Sequence, residues 1–179
     1  STGLEEDEEM REVFIDEARE VIQGADEALQ RLSESPDDLG DMTLLRRAFH
    51  TLKGSSRMVG LKLFGEAAWS CEQLYNVRLA ETSRLEDDLA AFTADALREL
   101  GRWVEAIAAG DARGDALTQG GFQDTQLLRQ AQAQLEEAMV HRAHFAGQGA
   151  AIGGALGDGV RGHAADHGLD QCDGRRMVT

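Results

Sequence analysis

The sequence predicts an all-α protein: an antiparallel four-helix bundle with an additional C-terminal helix and a Gly-rich tail. Three observations lead there. Apolar residues recur every three to four positions along successive stretches, the pattern of helices that bury one face. One proline, few aromatics and abundant Ala, Leu, Glu and Arg favour helix over sheet. The breaks between the stretches are short, which makes consecutive helices antiparallel neighbours. A chain of 179 residues is long enough to bury one proper core.

The first helix is expected from about Leu4 to Leu32, with Met10, Val13, Phe14, Ala18, Val21, Ile22, Ala25 and Leu29 in the helical period. Its acidic opening, Glu5 to Glu9, suits the positive end of a helix dipole. Ser35-Pro36-Asp37-Asp38 interrupts the chain, and a second helix starts near Asp41. Gly60 is placed to end it as a left-handed cap. A third helix covers about Lys62 to Leu79, and a fourth about Leu85 to Ala109, before Gly110-Asp111. Together these make a bundle over 4–112. Thr125 to His144 reads as a further helix through Leu128, Ala131, Leu135 and Ala138, within a segment 122–146. From 147 to 179 the chain is Gly-rich with little periodicity, and it is expected to be a disordered tail that cannot offset its chain entropy.

The most informative stretch is Arg47-Ala48-Phe49-His50-Thr51-Leu52-Lys53-Gly54-Ser55-Ser56. At about 100° per residue, Leu45, Ala48, Phe49, Leu52, Ser56 and Val59 fall on one core-facing stripe. His50 lies about 140° from its centre, with Arg46, Lys53 and Arg57 around it. The ring therefore faces solvent. An imidazole with an ordinary pKa near ~6.5 presents a neutral, nucleophilic nitrogen at cytoplasmic pH without a separate base. Once phosphorylated it carries added negative charge, which Lys53 one turn away and Arg57 two turns away can screen. Gly54, on the same exposed surface, removes a side chain where another protein must come close; a helical Gly costs about 1 kcal/mol relative to Ala. Arg46, Arg47, Gly54 and Arg57 are read as the partner-binding residues.

His50-Thr51-Leu52-Lys53-Gly54-Ser55-Ser56, continued by Arg57-Met58-Val59-Gly60-Leu61, resembles the phosphorylation motif of histidine-containing phosphotransfer (HPt) domains. It is most similar to those of chemotaxis-type histidine kinases, including the hybrid kinases that control type IV pili. The likeness spans about residues 8–110, through Phe14-Ile15-Asp16-Glu17-Ala18, Phe64-Gly65-Glu66-Ala67-Ala68 and Cys71-Glu72-Gln73-Leu74. In that family a Glu on the next helix accepts a hydrogen bond from the other nitrogen of the His, and Glu72 stands at the matching position. The resemblance thus implies that Glu72 orients His50. One departure is Trp69, where many chemotaxis-kinase relatives carry a second His three residues before that Glu.

What the resemblance implies is a phosphotransfer module: His50 takes a phosphoryl group from a histidine kinase catalytic domain, or from a receiver aspartate, and passes it to a response-regulator receiver aspartate. The chain lacks the patterns of an ATP-binding catalytic domain, so ATP and Mg²⁺ are expected on the partner domains and no cofactor or metal on this chain. The alternative is a helical docking adaptor that binds receiver or kinase without accepting phosphate, which Trp69 favours. A helical dimerisation module is a third reading. Gly147-Gln148-Gly149 lacks the strand before it and the Lys-Ser/Thr after it that a nucleotide loop needs. His163, His167 and Cys172 have metal-ligand chemistry but sit in the Gly-rich tail.

Charge and composition exclude other classes. A net charge of -15 argues against nucleic acid and against an anionic membrane surface. No apolar run has the length of a spanning helix, and no secretory signal is evident. Cys71 lies on a core stripe far from Cys172, which points to a reduced, cytoplasmic setting.

Overall fold

The computed structural model describes residues 3–110 and 126–157, and everything described is helix or short connection. Five helices follow one another: α1 (Gly3–Glu34), α2 (Leu39–Met58), α3 (Lys62–Glu81), α4 (Asp87–Ala109) and α5 (Gln126–Gly157). No described helix is long and apolar enough to cross a membrane.

Local chemistry sets the helix ends. The Asp38 side chain accepts from the Asp41 N–H at 3.0 Å and caps α2, which therefore begins at Leu39, slightly before the expected Asp41. Asp41 then pairs with Arg31 near the end of α1 at 2.6 Å, tying the two helices across their connection. Gly110 closes α4 in the left-handed region at φ 63°.

α2 packs against α1 and α3, and α4 closes the ring against α1 and, more lightly, α3. The α1–α2 and α3–α4 connections meet at one end, where the Leu85 N–H donates to the Pro36 carbonyl at 2.8 Å. The α2–α3 corner therefore lies at the other end, as up-down-up-down topology requires. The core is aromatic at its centre: Phe14 meets Phe64 edge-on at 5.4 Å, and Phe64 meets Trp103 at 6.0 Å. Phe49, directly before His50, is fully buried and lies 5.7 Å from the Tyr75 ring. Buried Tyr75 donates to Thr93 Oγ1 at 2.6 Å, because that hydroxyl spends its own proton on the Leu89 carbonyl.

Within the first compact unit, residues 1–143, Leu127, Ala131 and Ala138 of α5 join the buried core. In the second unit, residues 144–179, the α5 backbone stays helical to Gly157, into the stretch that the sequence reading assigned to a tail from 147. Ala150, Ala151, Ile152, Ala155 and Leu156 supply helix formers among its glycines. The remainder of the expected tail, with His163, His167 and Cys172, lies outside the described residues.

Candidate functional site

The site is built where α2 and α3 turn back on each other. Gly60 takes φ 79° just beyond Val59, the C-cap of α2. The Gly60 N–H then reaches the Arg57 carbonyl at 3.2 Å and the Leu61 N–H reaches the Ser56 carbonyl at 2.9 Å. This double closure, with Leu61 fully buried behind it, is a complete Schellman ending. Four residues further on, Gly65 leaves the space into which Arg57 folds: a Cβ there would sit 2.9 Å from Arg57 Cγ and 3.2 Å from Ser56 Oγ. The corner thus fixes the level at which α3 passes α2, bringing Glu72 opposite His50.

The core stripe of α2, Met42, Leu45, Ala48, Phe49, Leu52 and Ser56, is buried, and it rotates His50 outward. The imidazole is 62% exposed, whereas the Glu72 side chain opposite is 6% exposed and Lys53 18%. Nδ1 of His50 lies 2.7 Å from Glu72 Oε1, and Lys53 Nζ lies 2.6 Å from Glu72 Oε2 and 3.2 Å from the same Nδ1. One buried carboxylate is therefore shared by an imidazole and an ammonium.

Burial pushes the Glu72 carboxyl up, but hydrogen bonds from Lys53 and His50, with their charges, outweigh it and hold the group below its ordinary value. Glu72 is then ionised and accepts only, so the proton of a neutral His50 ring belongs on Nδ1. The opposite tautomer would set a lone pair against a carboxylate oxygen at 2.7 Å. Lys53 cannot also donate to a protonated Nδ1, so its real hydrogen bond is the one to Glu72. The other ring nitrogen, Nε2, keeps its lone pair. The arrangement is a nucleophilic nitrogen on an exposed ring whose orientation is set from behind.

A family model for the Hpt domain matches residues 9–138. The chain belongs to the Hpt domain family. The match runs from α1 into α5, further than the 8–110 carrying the sequence resemblance, so the first turns of α5 belong to the matched region. Among solved structures, the fold is similar to the phosphorylated P1 domain of CheA3, determined in complex with CheY6 from R. sphaeroides. That match has 21% identity and a TM-score of 0.59, and covers 73% of this chain and 98% of the other. At this identity the likeness is one of fold.

Of the residues singled out from the sequence, the Hpt domain brings His50, Lys53 and Glu72 together. Arg57 goes elsewhere: its guanidinium pairs with Glu66 on α3 at 3.1 Å. Arg47 is exposed and Arg46 half-buried, and neither makes an ion pair among the described residues. Gly54 is exposed, with no heavy atom within 4 Å of where a Cβ would stand. Trp69, at the departure from the family pattern, is 40% exposed on the outer face of α3. Sequence reasoning gave no role to Gly65 or Glu66. A Phe-Gly step in the first turn of a helix, five residues after a capping Gly, is the signal for the first; no local signal points to the second. Among the described residues no group of three or more His, Cys, Asp or Glu is placed to hold a metal ion.

Proposed function

We propose that His50 is the phosphoacceptor and donor of this Hpt domain, relaying a phosphoryl group between a histidine kinase catalytic domain and the aspartate of a response-regulator receiver. The observation that carries this reading is the pairing of an exposed imidazole with a buried, ionised Glu72 at 2.7 Å. The Nε2 lone pair attacks the γ-phosphorus of ATP held by the kinase; the N–P bond forms, the P–O bond to the leaving phosphate breaks, and ADP departs. No proton leaves Nε2, and the one on Nδ1 stays on that nitrogen, hydrogen-bonded to the Glu72 carboxylate, whose charge balances the positive charge growing on the ring. In the second step a receiver aspartate attacks the same phosphorus and the electron pair returns to Nε2. ATP and Mg²⁺ belong to the partner domains; this chain supplies an oriented ring.

The kinase is of the chemotaxis type in this reading, a class that includes the type IV pilus hybrid kinases, on the strength of the motif around His50 and Glu72. A CheA P1 domain of similar fold, itself solved with a CheY, supports a receiver as partner. Arg46, Arg47, Gly54 and Arg57 form the docking surface around the ring, and Lys53 balances charge at the site. The setting is cytoplasmic.

The test is labelling by γ-labelled ATP with a panel of chemotaxis-type kinase catalytic domains, comparing the wild type with His50→Gln. The label should be acid-labile and alkali-stable on the wild type and missing from the variant, whose helical spectrum should be unchanged. Label that persists on His50→Gln would remove His50 from the reaction. A folded wild type that takes no label from any kinase would favour the docking adaptor.

A further inference from the structure

Gly65 and Glu72 are seven residues apart on α3, and His50 and Arg57 are seven apart on α2. Seven residues make two turns, about 10.5 Å, and bring a side chain back to nearly the same face. The helices are antiparallel, so the approach of Arg57 to Gly65 and the bond of His50 to Glu72 are two rungs on one pair of faces. Between the rungs that face of α3 carries Ala68, also small and fully buried. The rung nearer the corner is tight. The place a Cβ would take on Gly65 is 2.9 Å from Arg57 Cγ, 3.4 Å from Arg57 Nε and 3.2 Å from Ser56 Oγ. The Arg57 stem thus crosses bare backbone, and Glu66 holds its guanidinium at 3.1 Å. Ser56 is the rigid side of the gap: it is fully buried, and its hydroxyl donates to the Lys53 carbonyl at 3.1 Å.

Resting on the phosphotransfer reading, we propose that Gly65 is a positioning residue for His50: bare backbone there lets α2 and α3 close to the separation at which Glu72 holds the ring proton on Nδ1. Carbon atoms in contact rest about 3.5–4.0 Å apart, so a methyl at 65 needs roughly 0.6 Å more room beside Arg57 Cγ. The exposed Arg57–Glu66 pair is weak and can release the stem, but Ser56 cannot move without opening the core. The helices take up the rest by parting. At 2.7 Å the His50–Glu72 bond lies within the charge-assisted range of about 2.7–2.9 Å, and a parting of roughly 0.3 Å takes it out of that range. A ring released from Glu72 carries its proton on either nitrogen, and only the Nδ1–H form keeps the lone pair on the exposed Nε2. Gly65 therefore acts on the ring through Glu72, from two turns away.

The test uses the full chain without a partner. Imidazole nitrogen NMR shifts are recorded above about pH 8, where the ring is neutral, and the His50 signals are assigned with His50→Gln. The wild type should show a proton on Nδ1 and a lone pair on Nε2. Gly65→Ala should move both shifts towards the average of the two tautomers. It should also slow labelling by phosphoramidate, a donor that needs no docking, about three- to tenfold. Ser56→Val, which fills the same gap from the α2 side, should act in the same direction. Gly101→Ala, at a helical glycine with nothing within 4 Å of its Cβ position, should leave shifts and rate as they are. Adding Ser56→Ala and Arg57→Ala to Gly65→Ala empties the α2 side of the gap and should return the shifts to the wild-type pattern, which a general loosening of the fold would not do. Wild-type shifts in both Gly65→Ala and Ser56→Val, with labelling within about twofold, overturn the proposal. So does a Gly65→Ala change that persists in the relieved variant, or a wild-type ring whose nitrogens are already averaged. Those failures leave His50 as the phosphoacceptor. A wild type that phosphoramidate cannot label at His50 sinks the phosphotransfer reading and this proposal with it.

Discussion

Lys53 reaches Glu72 at 2.6 Å instead of standing free beside the ring, and this changes what its removal should do. A helical wheel places it one turn from His50 as a phosphate screen, but a wheel does not say whether a long side chain extends over the ring or across to the next helix. Burial is the largest influence on Glu72 and pushes it up from its ordinary 4.5, so losing the Lys53 ammonium leaves His50 as the one opposing group among its contacts. In Lys53→Met the Glu72 carboxyl should therefore titrate at higher pH than in the wild type, as read from its carboxyl-carbon NMR shift; an unmoved titration would show that Lys53 does not hold the charge. The sign for stability follows. A depressed carboxyl stabilises the fold above its unfolded value and loses that contribution as pH falls through the folded one, so the wild type should resist acid further down the scale than Lys53→Met. Leaving a buried acceptor short of its donor should also cost about 1–3 kcal/mol by denaturant titration at neutral pH. Glu72→Ala removes a charge-assisted hydrogen bond from the ring and should slow transfer roughly 10- to 100-fold while leaving His50 able to take label. An unchanged rate in Glu72→Ala would take Glu72 out of the mechanism.

Helix α2 carries a glycine that its own packing does not need. Nothing crowds a Cβ at Gly54, so Gly54→Ala should stabilise the protein by about 0.5–1 kcal/mol and raise its melting temperature. If the bare backbone serves a partner, the same change should slow transfer to the receiver. A more stable variant with full transfer would leave Gly54 with no role in docking. The contrast with Gly65 shows what the sequence carried and what it did not. Both glycines interrupt helical stretches, and solvent exposure on the wheel drew attention to Gly54, but the close approach inside the molecule is at Gly65, where Arg57 folds over. Helices α1, α2 and α4 were legible because each buries a strong stripe, and α3, buried over more of its circumference, because it lies between clear breaks; their ends fell within a few residues of the caps and glycines that set them. The pairing of His50 with Glu72 was legible through a motif, since residues 22 positions apart come together only after the corner is built. Arg57 with Glu66 was not, because that pair depends on the Schellman turn between them and on no periodicity. The additional helix was legible from its period through Leu128, Ala131, Leu135 and Ala138, and its backbone continues to Gly157.

Across the whole molecule the charge is unevenly spread, and this bears on how a partner finds the ring. α1 carries twelve acidic residues against three basic ones, while α2 carries four basic residues against one acid. An acidic domain approaching this bundle is repelled from most directions and attracted where His50 is exposed, so orientation is partly selected before contact. Such steering acts mainly on association and is screened over a Debye length of about 10 Å at 0.1 M salt. Arg47 is exposed on the His50 side of α2 and forms no ion pair among the described residues, so reversing it disturbs the field without breaking the fold. Arg47→Glu should raise the receiver KM several-fold at about 50 mM salt, and the gap from the wild type should narrow towards about 0.5 M as both lose the electrostatic contribution. The measurement is the transfer rate from phosphorylated protein at a series of receiver and salt concentrations. A salt-independent KM in the wild type would mean that the cationic helix does not steer its partner.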